Sequence, residues 1–219
     1  MITTMPYPTT LYAEPTATRL LREALNALNE KKTLLYPTET VWGLGCAAND
    51  DAAVRRLYAI KERDSHKSML ILVCEGTAEL LIDAVGDAKS RLLLRQQLLQ
   101  QPRATTVVCP AGLGPVEWLT AHQQVSTLLP SEDGSIGIRV PHEGFLQRLL
   151  SAAGYPLVSS SANLSGRPSP TSRAKVSTEV LARTDYLLPP SIADEQQLPT
   201  PPPSRIVRLT AAGIEILRP

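Results

Sequence analysis

A ten-residue segment, 36–45 (YPTETVWGLG), concentrates two hydroxyls, a carboxylate and two glycines. It follows a short apolar run stopped by Pro37, so Thr38, Glu39 and Thr40 are predicted to lie at the end of a strand. Ligands bind at strand ends in α/β sheets, where hydroxyls can hold polar ligand atoms and glycines let the backbone come close. The competing interpretation is a strand–turn–strand in which the threonines bond their own backbone.

Three cations, Lys61, Arg63 and Lys67, follow a predicted helix and precede a buried apolar run. Their simple interpretation is that they complement the helix dipole at its C-terminal end. The alternative is an anion-binding site, because an ammonium supplies a point charge and a guanidinium supplies a planar fork that suits carboxylate or phosphate. A substrate that carries both groups would need both kinds of cation.

A serine-rich segment, 159–166 (SSSANLSG), follows another short apolar run, which places Ser161 and Asn163 at a predicted strand end. Such side chains can bind phosphate or sugar oxygens, although a Ser/Asn turn is the plainer interpretation. The segment does not match a G-x-S-x-G nucleophile elbow, and segment 36–45 matches neither G-x-G-x-x-G nor a Walker loop. The three histidines show no metal-ligand spacing, so no metal site made of protein side chains is predicted.

Alternating helices and strands must position these side chains, because apolar residues recur with helical and strand periods along most of the chain. The predicted helices span residues 16–30, 50–63, 77–84, 87–100, 143–153 and 173–182, with part of 110–133 also helical. The predicted strands span residues 33–36, 68–74, 104–109, 135–140, 157–160, 186–188, 206–209 and 214–217. In the fourth of these strands, alternation points Arg139 away from the inward-facing isoleucines. This order predicts an α/β fold with a mixed, twisted sheet flanked by helices.

Length and composition fit one globular domain, with 219 residues of which 43% are hydrophobic and 20% charged. We predict a single domain over 1–219, with a core from residue 16 onward, an N-terminal extension 1–15 and a mobile loop at 189–203. The formal charge of +1 argues against a general nucleic-acid or membrane-surface binder. The cysteines fit no zinc or disulfide pattern, and the sequence shows no signal peptide and no run of about 20 apolar residues. These features predict a cytoplasmic protein that does not associate with membranes.

Taken in order, the segments form a specific pattern: YPTET-V-W-G-L-G, K-x-R with a further lysine, G-I-R-V-P, S-x-N with P-S-P-T, and a closing I-L-R-P. From Lys32 to Pro219, this pattern resembles the YrdC-like family of L-threonylcarbamoyladenylate synthases, in its short single-domain form. The resemblance implies a twisted α/β sheet with a concave, basic face. It also implies that L-threonine, bicarbonate and ATP are converted to threonylcarbamoyl-AMP and pyrophosphate, for the threonylcarbamoyladenosine modification of tRNA.

The resemblance assigns roles to the residues that match the family's motifs. Lys61 and Arg63 are the implied catalytic pair, in which Arg63 grips the threonine carboxylate and Lys61 neutralises the carbamate and the α-phosphate. The residues implied for threonine and carbamate are Thr38, Thr40, Arg63 and Ser204. The residues implied for the nucleotide are Lys61, Lys67, Arg139, Ser161, Asn163 and Arg218. The chain departs from the family's usual residues at Glu62, Asp64, Ser68, Arg103 and Arg205.

The resemblance also implies partners. ATP is a substrate, Mg²⁺ balances its triphosphate, and tRNA-modification transferase proteins act on the product; the family has also been linked to tRNA and double-stranded RNA. Two alternatives stay open. One is an RNA-binding or ribosome-associated module without this activity, and the other is a related carbamoyl-transfer domain that acts on another small amine or carbamoyl donor.

Overall fold

Helices and strands alternate along most of the chain, as the sequence predicts. The computed structural model describes residues 14–64, 68–142, 144–189 and 203–219, so Lys67, most of the predicted N-terminal extension and nearly all of the predicted mobile loop lie outside the described residues. The helices in this part of the chain are α1 Glu14–Asn29, α2 Asp51–Lys61, α3 Glu75–Asp83, α4 Ala88–Leu99, α5 Pro115–Ala121, α6 Gly144–Ala153 and α7 Thr178–Arg183. The strands are β1 Leu34–Tyr36, β2 Gly43–Ala47, β3 Leu70–Leu72, β4 Thr105–Cys109, β5 Ile136–Arg139, β6 Leu157–Ser161, β7 Tyr186–Leu187, β8 Arg205–Thr210 and β9 Gly213–Arg218. Among the described helices, none has the length and apolar character needed to span a bilayer.

The strands form one sheet in the order β7-β1-β2-β6-β3-β5-β4-β8-β9. The pairs β1–β7, β3–β5 and β4–β8 are parallel. The pairs β1–β2, β2–β6, β3–β6, β4–β5 and β8–β9 are antiparallel. The predicted mixed α/β fold is therefore confirmed.

Strand β2 is the element that residue propensities do not favour, because two of its five residues are glycines. The glycines are needed for space. A Cβ atom at Gly45 would lie 2.3 Å from the Val158 carbonyl oxygen and 2.7 Å from Tyr36 Oη, and a Cβ atom at Gly43 would lie 2.7 Å from the Tyr36 ring. Segment 36–45 is therefore a strand–turn–strand, in which β2 packs closely against the Tyr36 side chain and β6.

Side chains alternate between two hydrophobic clusters on opposite faces of the sheet. The first cluster contains Leu35, Ile71, Val107, Ile138 and Val158 together with side chains from α2, α3, α4, α5 and α7. The second cluster contains Leu34, Tyr36, Leu72 and Leu157 together with side chains from α1 and α6. Both faces of the sheet therefore carry helices, and two of the described helices lie on the second face.

Helices α1 and α6 cover only part of the second face. Within the described residues, their cluster takes no side chain from β4, β5 or β8. On those strands the residues that alternate with the first cluster are Thr106 and Val108, Gly137 and Arg139, and Ile206. Among the helices that the structure describes, none covers this half of the face, and several of its side chains are polar.

One helical prediction is wrong, and one is confirmed. The helix predicted over 173–182 is a 3-10 turn, Arg173–Lys175, followed by the shorter α7, because Val176 is buried in an extended conformation and the Ser177 hydroxyl caps α7 by accepting from Val180 N at 3.3 Å. The ambiguous stretch 110–133 contains α5. That helix starts with a proline in its first turn, and Glu117 accepts a hydrogen bond from Gly114 N at 2.9 Å.

Candidate active site

A cavity of about 300 Å³ lies on the half of the sheet that α1 and α6 leave open. Its walls come from the turn between β1 and β2, the segment after α2, strands β3 to β6, and both ends of the β8–β9 hairpin. The lining residues include Thr38, Thr40, Arg63, Ser68, Thr106, Ser135, Arg139, Ser159, Ser161, Ser169, Ser204 and Arg218. The walls are therefore rich in hydroxyls, with three guanidinium groups among them.

The turn between β1 and β2 is held by the Thr38 hydroxyl. Thr38 Oγ1 accepts from Thr40 N at 3.1 Å and from Val41 N at 3.2 Å, and it donates to Val41 O at 2.7 Å. The two threonine hydroxyls lie 3.1 Å apart, and both residues line the cavity. The threonines therefore bond their own turn and face the cavity at once, so the two interpretations of this segment are compatible.

Helix α2 ends with a turn that sends Lys61 and Arg63 in different directions. The intervening Glu62 adopts a left-handed conformation, with φ 49° and ψ 43°. Glycine adopts this conformation without strain. Arg63 lines the cavity and donates from Nη2 to Ser68 O at 3.0 Å. The guanidinium is thus held at the cavity wall by the segment that leads into β3.

Lys61 lies behind the wall and is only 2% exposed. Its ammonium donates to the main-chain carbonyls of Ser161 and Asn163, the latter at 2.8 Å. The main chain adds a further link, because Ser165 N donates to Lys61 O at 2.9 Å. Burial, and then the nearby Arg63 charge, lower the pKa of Lys61 to about 8. This lysine therefore supports the serine-rich segment and does not itself line the cavity.

Arg139 and Glu39 form an ion pair at the cavity. Arg139 Nη2 donates to Glu39 Oε1 at 2.6 Å, and the side chains are 7% and 19% exposed. Among the described residues, Arg139 Nε and Glu39 Oε2 are buried without a hydrogen-bond partner. Arg139 projects from β5 away from the isoleucines, as the strand alternation predicts.

The far wall of the cavity joins the two ends of the β8–β9 hairpin. The Arg218 guanidinium donates to Ser204 O from Nε at 2.9 Å and from Nη2 at 2.6 Å, and to Ser204 Oγ at 3.2 Å. Burial, followed by the charges of Arg103 and Arg139, lowers the pKa of Arg218. Arg103 and Arg139 thus add positive charge near Arg218 at this end of the cavity.

The structure brings most of the sequence-predicted residues together. The cavity is lined by Thr38, Thr40, Arg63, Arg139, Ser161, Ser204 and Arg218. Asn163 does not line it, because its amide nitrogen bonds the carbonyls of Leu164 at 2.9 Å and Arg167 at 2.7 Å. Lys61 and Asn163 both belong to the layer behind the wall.

Sequence reasoning missed several polar residues of the cavity. Thr106 and Ser159 face it from β4 and β6, where each alternates with a valine of the first hydrophobic cluster, and that alternation was the signal that could have identified them. Ser159 also accepts from Tyr36 Oη at 2.8 Å. Ser169 belongs to the P-S-P-T motif and brings a further hydroxyl to the wall.

Comparison with known proteins identifies relatives of this chain. A family model named Sua5_yciO_yrdC and described as "Telomere recombination" matches residues 26–219. Among curated proteins, the threonylcarbamoyl-AMP synthase of Pseudoalteromonas translucida is 36% identical over 164 residues, which cover 74% of this chain and 81% of the relative. The threonylcarbamoyl-AMP synthase of Chromohalobacter salexigens is also 36% identical, and the match covers 74% of this chain and 80% of the relative.

Solved structures show the same architecture. Sua5 from P. abyssi, in complex with L-threonine, matches with a TM-score of 0.70 and 25% identity over 91% of this chain and 53% of that chain. The present chain thus spans about half the length of that protein. E. coli YciO matches with a TM-score of 0.69 and 20% identity over 91% of this chain and 88% of its own length, which shows a shared fold.

Proposed function

This chain belongs to the Sua5/YciO/YrdC family, and on that premise we propose that it is a threonylcarbamoyl-AMP synthase whose reaction takes place in the cavity described above. The observation that carries the proposal is the cavity itself. Its lining combines the guanidinium groups of Arg63, Arg139 and Arg218 with many hydroxyl groups. An amino acid and a nucleotide bring a carboxylate and a polyphosphate, and guanidinium groups bind both kinds of anion well.

The proposed reaction has two bond-forming steps. The amine of L-threonine attacks the carbon of bicarbonate, which forms a carbamate and releases water. A carbamate oxygen then attacks the α-phosphorus of ATP, and the bond to the β-phosphate breaks so that pyrophosphate leaves with its electron pair. Neither step requires a covalent bond to the protein. Positioning and electrostatic stabilisation are therefore the work that the side chains must do.

We assign the anions to the guanidinium groups as the family resemblance implies. Arg63 would bind the threonine carboxylate, with Thr38, Thr40 and Ser204 near the threonine and carbamate. Arg139, Arg218 and Ser161 would bind the nucleotide, in the part of the cavity where positive charge accumulates. Lys61 and Asn163 would act from behind, by holding the segment that presents Ser161. Lys67 would add a further cation beside the nucleotide.

Mg²⁺ fits this cavity as a companion of the triphosphate. The described residues contain no cluster of three or more His, Cys, Asp or Glu side chains that could hold a metal ion. Mg²⁺ usually keeps several waters and is bound by one or two carboxylates together with substrate phosphates. The described lining of the cavity carries no carboxylate, so the triphosphate and waters would supply the ligands. When bound, the ion would neutralise charge on the pyrophosphate leaving group.

The product would be consumed by tRNA-modification transferase proteins, since a mixed carbamic–phosphoric anhydride is an activated acyl donor. We place this reaction in the cytoplasm and propose tRNA as the final acceptor. The curated relatives are named for synthesis, which does not favour the alternative of an RNA-binding module without activity.

Release of pyrophosphate tests the proposed function. We expect the protein to release pyrophosphate from ATP only when L-threonine, bicarbonate and Mg²⁺ are all present. Omission of each component in turn is the internal control, and replacement of threonine with serine or valine tests the carbamoyl-transfer alternative. Release that is independent of threonine, or the absence of release with salt-dependent binding of double-stranded RNA, would contradict the proposal.

A further inference from the structure

The carboxylate of Glu39 is placed by a rigid turn rather than by a flexible loop. Its neighbours Thr38 and Thr40 are joined through Thr38 Oγ1, which also bonds both polar groups of the Val41 main chain. Four short contacts thus fix the backbone on either side of Glu39. The Glu39 carboxylate therefore contacts Arg139 from a defined direction.

The ion pair between Glu39 and Arg139 uses only part of each group. A carboxylate and a guanidinium can pair through two parallel hydrogen bonds. Here the contact is end-on, from Nη2 to Oε1 at 2.6 Å. Within the described residues, the other carboxylate oxygen and Arg139 Nε are buried and have no partner. Arg139 is therefore anchored by one nitrogen, while its side chain lines the cavity.

The positive charges around Arg139 explain why its guanidinium needs the contact with Glu39. The side chains that line the cavity, as far as the structure describes them, include three arginines and no carboxylate. Arg139 also lies close enough to Arg218 to lower its pKa. Without Glu39, the Arg139 guanidinium would lose its hydrogen-bonded anchor beside these charges. An arginine with a fixed donor binds a phosphate at a smaller entropic cost than a mobile one.

We propose that Glu39 is a positioning residue, which holds Arg139 by Nη2 so that the rest of its guanidinium is presented to the polyphosphate of the nucleotide. The inference rests on the proposed function for the identity of the ligand as a nucleotide polyphosphate. It goes further by assigning a role to the carboxylate of segment 36–45, which acts through Arg139 and not on the reacting atoms.

Binding of ATP in the absence of threonine and bicarbonate tests this role. We expect Glu39→Ala to weaken ATP binding at least tenfold by calorimetry. Glu39→Gln should weaken it less than threefold, because the amide oxygen can still accept from Nη2. In the synthesis assay, Glu39→Ala should raise the KM for ATP and leave the KM for threonine unchanged. Glu79→Ala, which removes the carboxylate of the exposed Glu79–Arg95 pair, is the matched control and should leave ATP binding at the wild-type value.

A double-mutant cycle separates positioning from a general effect on the fold. If Glu39 acts only through Arg139, the Glu39→Ala/Arg139→Ala variant should bind ATP within twofold of Arg139→Ala alone. The inference would be overturned if the losses of ATP affinity in the two single variants multiplied in the double variant. It would also be overturned if Glu39→Ala bound ATP as tightly as the wild type. A wild-type protein that binds ATP with this mutational pattern but releases no pyrophosphate would overturn the proposed function and leave the role of Glu39 standing.

Discussion

The Lys61 ammonium donates to the main-chain carbonyl of Asn163 at 2.8 Å from a position that is 2% exposed. A second carbonyl, that of Ser161, accepts from the same nitrogen. The K-x-R pattern suggests two cations that act together on a substrate. The structure instead separates them, because Arg63 faces the cavity and Lys61 braces the segment that forms its wall.

Lys61→Met tests this separation. Methionine has a similar length but no donor, so the carbonyls of Ser161 and Asn163 would be left unpaired, at about 1–3 kcal/mol for each buried group. We expect loss of thermal stability together with at least a tenfold loss of pyrophosphate release. Lys61→Arg retains the charge but not the compact shape, so it should recover only part of the activity. A stable and fully active Lys61→Met protein would show that the brace is dispensable.

Arg63→Ala should reduce turnover without reducing stability. Loss of a charged contact of this kind costs about 2–5 kcal/mol, so turnover should fall at least tenfold while the unfolding temperature stays within a few degrees of the wild type. Arg183→Ala, which breaks the exposed pairs with Glu62 and Glu179, is the control and should retain full activity. Undiminished turnover in a well-folded Arg63→Ala protein would remove Arg63 from the mechanism.

The pKa of Lys61 predicts a pH dependence of stability. Because the pKa is lowered to about 8 in the folded protein, the unfolded chain holds the proton at pH values where the folded protein has already lost it. The free energy of unfolding should therefore rise with pH between about 8 and the ordinary lysine pKa of about 10.4, by about 1.4 kcal/mol per unit of pKa difference. Denaturant titrations of the wild type minus Lys61→Met isolate this contribution. A difference that falls with pH in this range would contradict the assignment.

Glu62→Gly should stabilise the protein. Glu62 occupies a left-handed conformation at the end of α2, which glycine adopts without the Cβ penalty of about 1–2 kcal/mol. The substitution also removes the exposed pair with Arg183, worth about 0–1 kcal/mol. Glu62→Ala removes the same pair and keeps the Cβ atom, so the comparison of the two variants isolates the backbone term. We expect the glycine variant to be the more stable by about 1 kcal/mol in urea denaturation; equal stabilities would show that the turn is not strained.

Gly45→Ala should destabilise the protein. Its Cβ atom would overlap the Val158 carbonyl oxygen at 2.3 Å, and this oxygen belongs to a central strand that cannot easily move. We expect a loss of about 1–3 kcal/mol in the free energy of unfolding. Gly86→Ala is the matched control, because a Cβ atom there meets nothing within 4 Å. If both variants unfold at the same denaturant concentration, β2 is not as tightly packed as the structure indicates.

The sequence is a good guide where side chains repeat with a regular period. Ile136 and Ile138 alternate with Arg139, and this pattern correctly places the isoleucines in the core and the arginine on the opposite face. Strand β2 escapes the same reasoning because glycines hide its period. The glycines of β2 are required because the Tyr36 side chain occupies the space that larger side chains would fill.

The placement of Lys61 could not be predicted from its neighbours. A cation at the end of a helix is usually solvated, and the two carbonyls that bury this one lie 100 and 102 residues further along the chain. Likewise, Glu39 and Arg139 are 100 residues apart, and no local pattern links them. Such contacts depend on the order of strands in the sheet, which periodicity does not reveal.

Because helices cover only part of the sheet's second face, alternate residues along a strand have different roles. On β4 and β5, Val107 and Ile138 sustain the fold, while their immediate neighbours Thr106 and Gly137 face the cavity. Adjacent residues of one strand are therefore constrained by different requirements, the core residue by folding and the cavity residue by ligand binding. The cavity-facing residues can therefore change while the folding core stays intact, and a library confined to Thr106 and Val108 should contain many well-folded proteins with altered selectivity.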